Sequence, residues 1–559
     1  MKTIVSLLEE RVNDSPNAVA LSYKGERTWE SISWATWWER SERLAAYLIQ
    51  EGLKPGDRVL ILSRTRVEWL IADIGIMMAG GASVPVFPSL LSDACIEIAQ
   101  DSGVSFLILE DRAQAEKLKD LDASIPRIGF ELDATSTTLS AAEMRGQAVL
   151  SDEPEMVSSR RRRLSASDLA SIVYTSGTSR RPLGVPLTHG NFAHEVEAIS
   201  KLGIARSNDV QLLFLPLAHI FARVLYLCSI GLGMRTVVEG DPQKLIQTCV
   251  EARPTFFAGV PHIFEILRRR ISTELEKSPL RGKVMGALPA FVTSSSMNPI
   301  RARFGGRLRF MISGGARLSP DTSEYFETLG IPLLEGYGLT EASGVATVNV
   351  PDERRIGSVG RPIPGTQVAI EEDGEILVRG PSCMHGYWGA AEEISVVDEQ
   401  GWLRTGDLGF YDRDGFLFIT GRKKDILVTS GGKNIAPSWI EAELKTRASI
   451  AEAILVGDGL PFIGALLVPD WEHLESVLNR KITEEERSGA LPTRDVLSVV
   501  ENDVQSVNEG LPPHERVKRF VFITALDLAL DYTPTLKLKR DRVVELHRPQ
   551  IDSLYRRER

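Results

Sequence analysis

The sequence predicts an α/β protein, and three observations carry that prediction. Short apolar runs of strand length recur; longer stretches with apolar residues at helical spacing alternate with them; and 559 residues leave room for three to four units at about 150 residues each. In order along the chain, residues 34–50 carry a helical period and residues 59–62 a strand-like run. Residues 69–87 form the longest apolar stretch, interrupted by Asp73, Gly75, Gly80, Gly81 and Pro85. A membrane span needs about 20 mainly apolar residues, so this stretch reads as a buried helix running into a strand. Further strand-like runs fall at 106–109, 169–174 and 212–215, and a helical period at 261–275. Residues 152–167 are mostly polar and hold four consecutive arginines, 160–163, which predicts a solvated linker or loop. Turn-rich segments end near 421–424, and a fresh α/β pattern begins at Ile454 and Ile463, which predicts a small separate C-terminal domain.

Composition removes several function classes. Hydrophobic residues at 43% and charged residues at 25% are ordinary globular usage and exclude a disordered polymer, a collagen-like repeat and a coiled coil. With 65 basic against 75 acidic side chains, the net charge of -10 argues against a partner bound through phosphate neutralisation, so no nucleic acid is expected. Cys95, Cys228, Cys249 and Cys383 lack any CxxC or Cys/His spacing, which predicts neither a disulfide framework nor a zinc site and fits a reducing, cytoplasmic compartment. Glu9, Glu10 and Arg11 interrupt the opening apolar residues, so no signal peptide is expected. No integral membrane segment and no lipidation motif is evident; peripheral membrane contact stays open.

The chemistry begins at residues 171–190, SIVYTSGTSRRPLGVPLTHG: an apolar strand, a loop of glycine and small hydroxyl residues, and a second apolar run. Backbone N–H groups in such a loop can approach phosphate oxygens, and Thr175, Ser176 and Thr178 add hydroxyl donors around Gly177. The Walker A spacing is missing, and a Ser/Thr-rich turn reads the loop equally well on its own.

Six segments in order then carry a resemblance: YTSGTSRRPLG, LPLAHIFAR, EGYGLTEAS, GWLRTGDLG, GRKKDILVTSGGKNIAP and YTPTLKLKR. Together they resemble the adenylate-forming superfamily of acyl-CoA synthetases, luciferases and peptide-synthetase adenylation domains, over nearly the whole chain. LPLAHIFAR, VPHIFEILRRR and TPTLKLKR are most similar to the long-chain fatty acyl branch. The resemblance implies a large N-terminal domain, 1–421, of layered β-sheets flanked by helices with a small barrel-like subdomain. A hinge at 422–424 and a small mobile α+β C-terminal domain, 425–559, complete it. It also implies ATP, Mg²⁺ and CoA as cofactor and co-substrates and a fatty acid as substrate.

The resemblance assigns roles, and elementary chemistry agrees with them. Gly314, Gly315 and Ala316 give a flat backbone surface beside adenine and the acyl group. In the next motif, Gly336 precedes Tyr337, whose ring would stack on adenine; Thr340 would bond the α-phosphate, and Glu341 would hold Mg²⁺. Asp407 would accept both ribose hydroxyls, and Arg422 would meet ribose or phosphate. Lys424 matches the pivot between the two domains. Lys537 would reach the substrate carboxylate and α-phosphate during adenylation, stabilising developing charge. Gly431, between Ser430 and Gly432, would line a pantetheine tunnel once the small domain turns. His219 resembles an aromatic beside the acyl carboxylate; a lone histidine reads equally as a core residue.

The chain departs from the family pattern in three places. Arg180 stands where Gly is usual, Leu183 where Lys is usual, and His262 where Arg is often found in the long-chain branch. Arg180 or Arg181 can replace the missing cation, since a guanidinium pairs with phosphate bidentately. Three readings follow from the sequence: acyl-CoA formation through acyl-AMP, transfer of the acyl group to an acyl carrier protein instead of CoA, and a non-catalytic nucleotide or acyl binder motivated by Leu183.

Overall fold

In the computed structural model, which describes residues 2–131, 137–175, 182–276, 300–389, 396–487, 492–527, 530–533 and 538–556, the apolar runs become the inner strands of two large sheets. In the first sheet, Arg58–Leu62 lies parallel between Ala82–Val86 and Val104–Leu109; Leu169–Thr175 joins beside Ala82–Val86, and Leu183–Thr188 returns antiparallel to it. In the second, Arg235–Val238, Val210–Leu213, Phe256–Gly259, Phe310–Ser313 and Leu333–Tyr337 run parallel. Helices cover these strands on both faces, which is why their sequences are apolar throughout instead of alternating. The expected buried helix and strand at 69–87 are present as Val67–Met78 and Ala82–Val86.

One polar residue in that buried helix has a specific partner. Asp73, fully buried, takes both carboxylate oxygens to Nη2 of the equally buried Arg223, at 2.8 and 2.7 Å. The second terminal nitrogen of Arg223, Nη1, donates to Ser171 Oγ at 2.6 Å and Ser83 Oγ at 3.1 Å, and Tyr226 OH also donates to Asp73. A buried charge survives only when paired and hydrogen-bonded. This network ties the helix Ile220–Leu232 to Leu169–Thr175, the strand that leads into the hydroxyl-rich loop.

The expected solvated linker at 152–167 is exposed over much of its length but carries one packed turn of helix. Residues 156–161 form the helix Met156–Arg161, with Val157 buried. Its arginines are absorbed by the protein. Arg160 Nη1 donates to the carbonyls of Leu53 and Ala79, both at 3.2 Å, and Arg161 lies 4.6 Å over the Trp38 ring and pairs with Glu9 at 3.1 Å. Half of the charge run is thus a pair of guanidinium clips with apolar stems lying on the surface below, while Arg162 and Arg163 are exposed, as a solvated run predicts.

A four-stranded antiparallel sheet follows, Gln367–Ile370, Glu375–Arg379, Leu403–Tyr411 and Leu417–Arg422. Beyond it, a second hydrophobic cluster begins at Leu427 and gathers Ile435, Ile440, Leu444, Ile450 and Phe522 around the three-stranded sheet Ile450–Val456, Ile463–Pro469 and Val517–Phe522. Among the described residues, no helix is long and apolar enough to cross a membrane.

Candidate active site

Open parallel sheets place ligands beyond the carboxyl ends of their strands, and Thr175, Gly314, Gly315, Gly336 and Tyr337 stand at such strand ends. Thr175 ends its strand facing Leu183 on the return strand, with Thr175 Oγ1 donating to Leu183 O at 3.4 Å. Ser176, Gly177, Thr178, Arg180 and Arg181 lie outside the described residues, as does Lys537.

On the second sheet, Ser313 and Glu335 are register partners, so Gly314–Gly315 and Gly336–Tyr337 leave the sheet side by side. Gly315 holds φ +83°, a conformation open to glycine, and Ala316 beside it is exposed. A Cβ on Gly314 would stand 3.3 Å from the Phe221 ring. The turn after Tyr337 is tighter: a Cβ on Gly338 would lie 1.5 Å from Gly344 O, which only glycine tolerates. Thr340 opens the short helix Thr340–Ala342, closed by Ser343 in the left-handed region at φ +61° and anchored through its Oγ to Ser382 O at 2.6 Å. Strained backbone held by such anchors is concentrated at functional sites.

Asp407 is the electrostatic centre. It is 5% exposed; Tyr337 OH donates to Oδ2 at 2.8 Å and Arg422 Nε to Oδ1 at 2.7 Å. Asp407 and Arg422 face each other across adjacent antiparallel strands, which fixes the pair by register. Thr405 Oγ1 accepts from Asp407 N at 3.0 Å. Burial, together with the Asp407 carboxylate, holds the Tyr337 hydroxyl well above its ordinary pKa, so it remains a donor. Burial disfavours charge on Arg422, yet the adjacent Asp407 carboxylate outweighs it and the guanidinium stays above its usual range. Carboxylate, phenol and guanidinium thus form a polar cradle suited to a diol and an anion.

Glu341 is oriented by a residue with no motif to announce it. Tyr387 OH donates to Glu341 Oε1 at 2.9 Å, and Met384 N donates to Glu341 O at 2.8 Å. Trp388 N, next in the chain, donates to Gly184 O at 2.8 Å, so residues 384–388 strap the Thr340–Glu341 turn to the strand returning from the hydroxyl-rich loop. One donor occupies one of the carboxylate's four lone-pair sites, leaving capacity for a hard cation. Mg²⁺ typically takes one or two protein carboxylates plus phosphate oxygens, so this donor set fits it. The acidic trio Glu371, Asp373 and Glu375 is engaged instead by Lys423, at 2.6 Å from Asp373 and 3.0 Å from Glu375, and by Arg404.

Two further residues belong to this region. Glu335, the first residue of EGYGLTEAS but given no role from the sequence, is pushed up to about 8 by burial and accepts from Gly357 N at 3.3 Å. His219 caps the helix Ile220–Leu232, its Nδ1 accepting from Phe221 N at 3.1 Å.

After the strand Leu417–Arg422, Lys424 has a pKa lowered by burial and by the neighbouring Arg422. Residues 430–434, with Gly431, form an exposed hairpin tip, so Gly431 faces solvent in this arrangement. The basic neighbours of Lys537 have structural partners: Lys539 Nζ donates to Leu530 O at 3.1 Å, Arg540 pairs with Glu441 at 2.5 Å, and Arg542 with Asp531 at 3.1 Å.

Comparison with known proteins places this geometry in a family. Residues 8–388 match the AMP-binding enzyme family, and residues 424–559 match the AMP-binding enzyme C-terminal domain. The long-chain-fatty-acid–CoA ligase FadD15 of Mycobacterium bovis is 32% identical over 99% of this chain and 97% of its own length. The long-chain-fatty-acid–CoA ligase ACSBG2 of Xenopus laevis is 28% identical over 99% and 84%. The crystal structure of the anthranilate CoA ligase AuaEII in complex with anthranoyl-AMP matches with a TM-score of 0.76 at 18% identity, over 98% of this chain and 97% of that one, a likeness of fold.

Proposed function

The chain belongs to the AMP-binding enzyme family, and from that premise we propose that it activates a medium- to long-chain fatty acid in two steps. In the first, a carboxylate oxygen attacks the α-phosphorus of ATP, pyrophosphate leaves, and acyl-AMP forms. In the second, the CoA thiol attacks the acyl carbonyl and AMP leaves. The names of its full-length relatives support the substrate class. The observation that carries the reading is Asp407 held between Tyr337 and Arg422 beside the Thr340–Glu341 turn.

Roles follow from chemistry and position. Asp407 takes the ribose hydroxyls, Tyr337 offers its face to adenine, Thr340 donates to the α-phosphate, and Arg422 neutralises phosphate charge. Glu341, aimed by Tyr387, would hold Mg²⁺, which when bound offsets charge on the phosphates. Thr175 to Thr178 cradle the pyrophosphate portion, and Lys537 meets the acyl carboxylate. Residues 1–421 form the catalytic body, 422–424 the hinge and 425–559 the moving domain, whose hairpin at Gly431 admits the thiol after rotation. The free, buried cysteines support a cytoplasmic location.

Replacing Lys537 by Ala tests the assignment. Acyl-AMP formation should fall by about two to three orders of magnitude, the scale of one lost transition-state contact, while supplied acyl-AMP is still converted to acyl-CoA. Equal loss in both half-reactions, measured by pyrophosphate release and by thioester yield, would remove Lys537 from its role.

A further inference from the structure

The helix Pro261–Glu276 packs with the large unit, and one side chain from it crosses to the small one. Arg269 Nη2 donates to Lys445 O and to Ile450 O, both at 3.1 Å, and Nη1 lies 3.5 Å from Asp470 Oδ2. Lys445 is the last residue of the helix Pro437–Lys445, so its carbonyl is one of those a helix leaves without an internal partner, at the negative end of the dipole. Ile450 opens the strand Ile450–Val456. A planar guanidinium can fork to two carbonyls and a carboxylate together, which an ammonium cannot do with fixed geometry.

The gripped carbonyls and the exposed hairpin move together. Leu427 and Ile435 on the hairpin strands, Ile440 and Leu444 on the helix and Ile450 on the strand belong to one buried cluster. Interiors packed this way transmit displacement as a unit. Any turn about Lys424 that brings residues 430–432 inward therefore carries Lys445 O and Ile450 O off Arg269.

We propose that Arg269 is a positioning residue that docks the small unit in the arrangement used to form acyl-AMP and releases it for thioester formation. The second half of that statement rests on the two-step reading above; the docking itself does not. His262, Glu265 and Arg268 share this helix, and Lys445, Glu452 and Tyr532 stand opposite, with Lys445 Nζ 3.2 Å from Glu452 and Tyr532 OH donating to it at 2.8 Å. They give the small unit's docking face a fixed internal geometry for Arg269 to grip.

The test uses full-length protein with Arg269→Ala and Arg269→Lys. Because Cys95, Cys228, Cys249 and Cys383 are buried, spin labels at Ala302→Cys and Ser476→Cys report the distance between the units without competing native thiols. Arg269→Ala should broaden and shift that distance distribution, slow acyl-AMP formation roughly tenfold, and leave conversion of supplied acyl-AMP equal or faster. Arg269→Lys should fall between. An unchanged distance distribution overturns the docking role whatever the activities show. A changed distribution with equal loss of both half-reactions overturns the link to acyl-AMP formation. If the unsubstituted protein makes neither product, the functional reading fails, and the label distances alone decide whether Arg269 docks the small unit.

Discussion

At the scale of single residues, Asp407 is the most demanding group in the site. A carboxylate 5% exposed must be paired, and Tyr337 and Arg422 supply one bond to each oxygen. Tyr337→Phe removes one of these donors while keeping the ring. If the phenol positions Asp407 for the ribose, KM for ATP should rise roughly tenfold, the scale of one hydrogen bond to a charged group, with kcat little changed. An unchanged KM would assign the bond to fold stability alone. Tyr337 and Asp407 were legible as candidates because each sits in a compact motif, but their contact was not, since 70 residues separate them. The same limit hid Asp73 and Arg223, which lie 150 residues apart. Asp73 reads in sequence as a flaw in an apolar run, and becomes sensible only once its partner is in view.

At the scale of elements, periodicity was a good guide where apolar residues decide the structure. The helix Trp34–Gln50 and the strands around 59–62, 106–109 and 169–174 fall where the pattern puts them. At 152–167 it was half right: Arg162 and Arg163 are exposed, but charge patterning cannot report that Arg160 and Arg161 will find backbone carbonyls and an indole face. It was silent on residues 384–388, whose strap between Glu341 and Gly184 depends on hydrogen bonds made at long range. Tyr387→Phe probes that strap. The Mg²⁺ concentration giving half-maximal acyl-AMP formation should rise several-fold, as expected for one lost bond to a charged group, with the thermal midpoint nearly unchanged. An unaltered Mg²⁺ dependence would mean that Tyr387 packs the segment without aiming Glu341.

At the scale of the whole molecule, residues 384–388 tie the return strand of one large sheet to the Thr340–Glu341 turn that follows the other, while a separate hydrophobic cluster gathers from Leu427 onward. The α/β class was legible because buried parallel strands leave continuous apolar runs. The grip of Arg269 on the small unit was not, because a surface arginine on an amphipathic helix looks like any solvated one. The central claim is that this architecture couples two reactions on one acid. Its most direct test is mass spectrometry of the purified protein incubated with ATP, Mg²⁺, CoA and a mixture of fatty acids from short to long. Acyl-CoA from the longer acids, with acyl-AMP accumulating when CoA is withheld, is the predicted result. Neither product from any acid, under conditions where the protein remains folded, would contradict it.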